Sequence, residues 1–210
     1  MGIKVNQETL QMIADLSNAR GASGFEDETV QAAAKHIGEG YTTEEDCLRN
    51  FYMYRTANSG NKPVFMLDAH SDEVGFMVHS IRPNGTLRFV ALGGWNVGSL
   101  ASSKVLVRNS EGKYLPGVIA AKPVHFMSAS EKASAGAADI SSLSIDIGAV
   151  SAKDAAENFK IRIGEPGVPD VTLEYDEEHD LMFGKAFDCR IGCAALIETL
   201  RRLRDEKLDV

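Results

Sequence analysis

The strongest constraint on the fold of this chain is a change of pattern partway along it. From Phe76 to about Phe183 the sequence breaks into short β-like runs at 76–81, 86–91, 104–107, 114–121, 143–147 and 171–175. Asn84-Gly85, Gly93-Gly94, Glu111-Gly112 and Pro166-Gly167 punctuate them, and these pairs suit tight turns. Both flanks read differently. Leu10, Ile13, Ala14 and Leu16 fall at helical spacing near the start, and Cys193, Leu196, Ile197, Leu200 and Leu203 do so near the end. Short β-like runs between turn pairs, enclosed by segments of helical spacing, predict a small β-rich domain, residues 76–183, inserted into a domain built from 1–75 and 184–210.

The flanks carry more detail. Ser23 followed by Glu26 has the spacing of a capping box and predicts that a second helix opens at Ser23, with Val30, Ala33, Ala34 and Ile37 on its apolar face. Residues 48–54 are rich in aromatics and suit a strand. After Pro63 comes Val64-Phe65-Met66-Leu67, a continuous apolar run of the kind buried on both faces of a sheet. Helix, helix, strand, strand is an α/β beginning. Within the β-rich block Ser151 and Asp154 form another capping pattern and predict a short helix. Residues 128–142, rich in Ala, Ser and Gly, read as a mobile loop.

A hydrophobic fraction of 44% supports a packed core rather than disorder. A net charge of −8 argues against a nucleic-acid partner, which would require a basic face. Cys47, Cys189 and Cys193 are an odd set that does not read as a disulfide framework, and they fit a reducing compartment. Polar Asn6, Gln7 and Glu8 leave no apolar signal segment, and no stretch reaches the ~18 apolar residues of a membrane span. The expectation is a cytoplasmic chain with no membrane partner.

Chemistry-bearing residues concentrate in two places. The first is Asp68-Ala69-His70-Ser71-Asp72-Glu73, directly after the apolar run. Open α/β sheets bind ligands beyond the carboxyl ends of their strands, which is where His70 falls. A neutral imidazole suits a zinc-like metal, and a carboxylate two residues on can hold its other nitrogen. The same residues also read as ordinary polar groups at a strand end. The second place is Lys185-Ala186-Phe187-Asp188-Cys189-Arg190, where Asp188 precedes the last helix. Asp188 reads either as an N-cap or as a carboxylate bridging two metals. Cys189 and Cys193 could share a soft metal, although free thiols more often act as small buried hydrophobes. His36 and His79 read as surface residues, His125 as structural or interfacial, and His179 as part of a solvated acidic turn. Trp95 reads as a packing or interface anchor. Asp72 and Glu73 are adjacent and point oppositely on an extended chain, which argues against a glycosidase pair.

Taken together, 21–26, 46–50, 69–75, Leu92-Gly93-Gly94-Trp95, Pro116-Gly117-Val118-Ile119, Pro123-Val124-His125, Ile145-Asp146-Ile147-Gly148 and 186–192 resemble the tetrahedral-aminopeptidase family. Glutamyl aminopeptidases and cellulase-M-like metallopeptidases belong to it. The resemblance implies an α/β zinc-peptidase-like catalytic domain, incomplete here, with an inserted β-barrel-like domain used in self-assembly. It implies two divalent metal ions, zinc or cobalt, with His70 binding one, Asp188 bridging both and Asp72 orienting the histidine as part of the catalytic set. The expected activity is removal of N-terminal residues from peptides with a free N-terminus, in a homo-oligomer.

The same resemblance places the remaining ligands and a general-base glutamate beyond the equivalent of Val210. Glu198 and Glu206 do not form the family's paired-glutamate motif. The expectation is therefore a truncated chain, inactive alone, with an uncovered apolar surface that drives self-association. The rival is a non-catalytic oligomerisation module. Two positions depart from the family: Cys189 stands where Asp or Asn is usual, and Arg49 where Gly is usual. The family also implies that the Asp188–Cys189 bond is cis.

Overall fold

The computed structural model describes residues 5–58, 60–128 and 139–208. Most of the stretch read as a mobile loop, residues 129–138, lies outside the described residues. The chain divides into two compact units, residues 74–170 and residues 1–73 with 171–210.

The 74–170 unit is a closed six-stranded barrel. Its strands are β3 (Gly75–Ile81), β4 (Leu87–Leu92), β5 (Lys104–Arg108), β6 (Tyr114–Ala120), β7 (Ser144–Asp146) and β8 (Pro166–Pro169), joined in the order β3-β4-β7-β6-β5-β8. Alternation sends one side of each strand inward, so Phe76, Val78, Leu87, Phe89, Val105, Val107, Ile119, Ile145 and Val168 are buried. Phe76 stacks on Trp95 at 4.8 Å and meets Phe89 edge-on at 4.9 Å. The Trp95 indole N–H donates to the Gly75 carbonyl at 3.0 Å, which fixes its packing role. Gly117 is needed for close approach, since a Cβ there would lie 2.9 Å from the Ile145 side chain.

The final strand of the barrel was not legible as one. Pro166-Gly167 reads as a turn, whereas the structure pairs Gly167 with both Phe76 and Val107. The two prolines stand at the first and last positions of β8, where a missing N–H is tolerated, and Val168 between them is fully buried. The predicted short helix is α3 (Ala152–Glu157). Ser151 caps it by accepting from the Asp154 N–H at 3.1 Å, and the Asp154 carboxylate accepts from the Val150 N–H.

The other unit holds α1 (Gln7–Asn18), α2 (Asp27–His36) and α4 (Phe187–Leu203), with the antiparallel pairs β1 (Tyr41–Glu45) with β2 (Phe51–Arg55) and β9 (Glu174–Asp176) with β10 (Leu181–Phe183). Met12 and Leu16 of α1 pack with Ala194 and Ile197 of α4, and Ile13, Ala32, Ala33, Met53 and Cys193 border them. The sequence reading put residues 171–183 in the β-rich block; the division falls at 170, because β9 and β10 pair with each other and not with the barrel.

Three local expectations are corrected here. Val64-Phe65-Met66-Leu67 lies outside any strand and is exposed, Val64 at 93%. An apolar run becomes a buried strand only when neighbours pair with it, and no described strand does. The helix expected at Ser23 begins at Asp27, and the Glu26 carboxylate turns back to accept from the Gly24 N–H at 2.7 Å instead of closing a capping box. His36 is buried, not superficial, and its ring meets at 2.8 Å the Asp15 carboxylate oxygen to which Lys35 also donates. Arg49, where the family usually has glycine, has a φ of 66°, the left-handed region that favours glycine.

Candidate metal centre

Two segments of the helical unit form the site. The segment that carries His70 is held by its following residue. The Glu73 N–H donates to the Gly21 carbonyl at 2.8 Å, and the Gly21 N–H donates back to the Glu73 carboxylate at 3.1 Å. The segment that carries Asp188 is the irregular start of α4. Ala186 sits before it with a φ of 57°, the Asp188–Cys189 bond is cis, and both residues leave helical geometry before the regular turns begin. The capping position thus belongs to Ala186, and the Asp188 carboxylate is free to point elsewhere.

A buried ionic cluster ties the segments together. Lys185 donates to Glu73 at 2.7 Å, and the Arg190 guanidinium lies 3.6 Å from the same oxygen. Arg190 is 1% exposed and also donates to the carbonyls of Leu16 at 3.0 Å, Ala19 at 2.5 Å and Ser71 at 2.9 Å. One guanidinium therefore gathers the end of α1, the residue after His70 and the start of α4. Burial pushes the Lys185 ammonium below its ordinary range, and the Glu73 charge opposes that. Burial likewise pushes the Cys193 thiol up. These residues were missed at the sequence level. Lys185 and Glu73 are 112 positions apart, and no local spacing signals such a pair.

The cluster leaves His70 between two carboxylates. Its Nδ1 lies 3.0 Å from Asp72 and its Nε2 lies 3.3 Å from Asp188. A neutral imidazole has one N–H to donate. If Asp72 takes it, the lone pair of Nε2 faces the Asp188 oxygen, and two acceptors at this distance call for a proton or a cation between them. The donor atoms of His70, Asp188 and Cys189 all lie within 4.8 Å of one another. An imidazole nitrogen, a carboxylate oxygen and a sulfur form a donor set that fits a zinc-like ion. Both His70 and Asp188 are open to solvent, so an ion or substrate could reach them.

The other candidates fall elsewhere. His79 and His125 are exposed, and His179 meets Asp176 at 2.8 Å on an acidic turn. Glu198 pairs with Arg202 on the outside of α4. Cys47, Cys189 and Cys193 are free thiols. No described helix is long and apolar enough to cross a membrane.

Residues 50–210 match the family model described as M42 glutamyl aminopeptidase. The chain belongs to that family. Its sequence is 32% identical over 204 residues to the glutamyl aminopeptidase of Lactococcus lactis subsp. cremoris, covering 97% of this chain and 57% of that protein. Among solved structures it is similar to a TET aminopeptidase from a marine-sediment Thaumarchaeota archaeon, with 33% identity and a TM-score of 0.86 over 94% of this chain and 54% of that one. It is also similar, at 25% identity and a TM-score of 0.76, to the TET1 peptidase of Pyrococcus horikoshii, which can assemble into a tetrahedron or a large octahedral shell; that match covers 94% of this chain and 57% of that one. The M42 chain described here thus spans about half the length of the relatives it matches.

Proposed function

We propose that His70 and Asp188 are metal ligands of a dinuclear aminopeptidase site, and that the whole protein removes N-terminal residues from peptides with a free N-terminus. The observation that carries this reading is the histidine held between two carboxylates, since a divalent cation between Nε2 and Asp188 relieves the facing lone pairs. Zinc or cobalt suits these donors. When bound, such ions supply Lewis acidity toward a carbonyl and a nucleophile at neutral pH.

The chain's own residues do the positioning. Asp72 keeps the proton on Nδ1 and so leaves Nε2 available, and Asp188 brings a negative charge to the shared side. Glu73, Lys185 and Arg190 fix the spacing of the two segments. His70 and Asp188 by themselves are fewer than the three protein donors of an ordinary catalytic zinc, so these two residues alone would hold an ion weakly.

Free thiols and the assemblies formed by the TET1 peptidase support a cytoplasmic homo-oligomer as part of the same proposal. A second reading, favoured by the low donor count and by a barrel with its own complete core, is a non-catalytic assembly module. Peptidase assays with added zinc or cobalt separate the two. We expect a longer product of the same gene to release N-terminal residues, and His70→Ala to lower its rate at least about a hundredfold. Equal activity in that variant would remove the metal-site reading, and no activity in any product would favour the assembly module.

A further inference from the structure

We infer that Cys189 is a third, sulfur ligand at the His70–Asp188 site, so that this chain offers a nitrogen, oxygen and sulfur set to a single zinc-like ion. The inference rests on the metal-site reading above. Three observations support it. The Cys189 sulfur lies within 4.8 Å of both the His70 and Asp188 donor atoms. The thiol is free and half-buried, so it is neither locked in a disulfide nor sealed in the core. Gly192, one turn on in α4, leaves the space the sulfur occupies, because a Cβ at that position would fall 2.7 Å from it.

The geometry needs only a small adjustment. Donor atoms around a tetrahedral zinc, with bonds of about 2.0 Å to nitrogen or oxygen and about 2.3 Å to sulfur, are about 3.5 Å apart. His70 and Asp188 already stand at 3.3 Å, so closing the set takes movement of about 1 Å by the sulfur or its partners. The chemistry balances without any redox partner. As the sulfur–metal bond forms, the thiol proton leaves to solvent, and a neutral imidazole with a carboxylate and a thiolate exactly cancels the charge of a divalent ion. A soft sulfur would turn the preference away from magnesium and calcium toward zinc and cobalt. Cys193 is the nearest rival, but its sulfur lies against the backbone carbonyl of His70 at 3.4 Å.

The test is a titration of the 210-residue chain with cobalt(II) under reducing conditions, read by absorption, with far-ultraviolet circular dichroism to establish that each variant is folded. The expected result is a sulfur-to-cobalt charge-transfer band that Cys189→Ser removes, with binding weakened about tenfold. Cys189→Asp should restore the binding without the band, and Cys193→Ser should keep both. Binding that is sensitive to His70→Ala but shows no sulfur band would overturn the role of Cys189 while leaving the His70–Asp188 site intact. A band that survives Cys189→Ser would also overturn it. Absence of cobalt binding in every folded variant would sink the inference and the metal-site reading together.

Discussion

A carboxylate as deeply buried as Glu73 must have its charge balanced, and Lys185 and Arg190 both supply that balance. Glu73→Gln leaves two cations without it, so we expect a loss of about 3–5 kcal/mol in urea unfolding; a loss below about 1 kcal/mol would contradict the assignment. Asp15 gives a pH signature. Burial alone would raise its pKa, but hydrogen bonds from Lys35, His36 and Gln11 outweigh it and hold the group at about 2 against an ordinary 3.8. Because the folded value is the lower one, the stabilisation is complete above the unfolded pKa and disappears as pH falls from about 4 toward 2. It amounts to about 2 kcal/mol, and Asp15→Asn should remove both that stability and its acid dependence. Unfolding measured at neutral pH and near pH 2.5 checks this, and an unchanged acid dependence in the variant would refute it. At this scale the sequence was informative where chemistry and spacing were local, as for His70 with Asp72. It misplaced His36 at the surface and gave no sign of the Glu73–Lys185–Arg190 cluster, because the partners of these residues arrive only on folding.

Elements were legible where their pattern was unbroken. β3, β4, β5 and β6 stand out as short apolar runs bounded by turn pairs, but which residues face inward does not, since Met77, Val90, Leu106 and Val118 are as apolar as the buried residues beside them; the Ser151 cap was readable from four residues. β8 was not, because two prolines and a glycine look like a turn until the strands on either side are known. Val64-Phe65-Met66-Leu67 failed in the opposite way, with strand composition but no described strand to pair with. The turn between β3 and β4 supplies a test at this scale. Gly85 has a φ of 88°, and a Cβ there would fall 2.3 Å from the Ala149 carbonyl oxygen. Gly85→Ala should therefore cost about 1–3 kcal/mol, measured by thermal unfolding, whereas Gly112→Ala, also left-handed but with open space around it, should cost less. Equal losses would show that the close approach of Ala149 is unimportant.

For the whole molecule, the exposed run of Val64, Phe65 and Met66 gives the chain an apolar surface that favours association. Light scattering after size exclusion should report a mass above that of a 22.7 kDa monomer, and Val64→Lys with Phe65→Glu should reduce it. A monomer at all accessible concentrations would count against self-association. The larger claim is that two segments more than a hundred residues apart create one ion site. Anomalous diffraction from zinc-soaked crystals tests it most directly. The account predicts a zinc peak within bonding distance of the His70 Nε2 and an Asp188 oxygen, lost in Asp188→Ala. A peak bound elsewhere, or density in which His70 and Asp188 share only a proton, would contradict it.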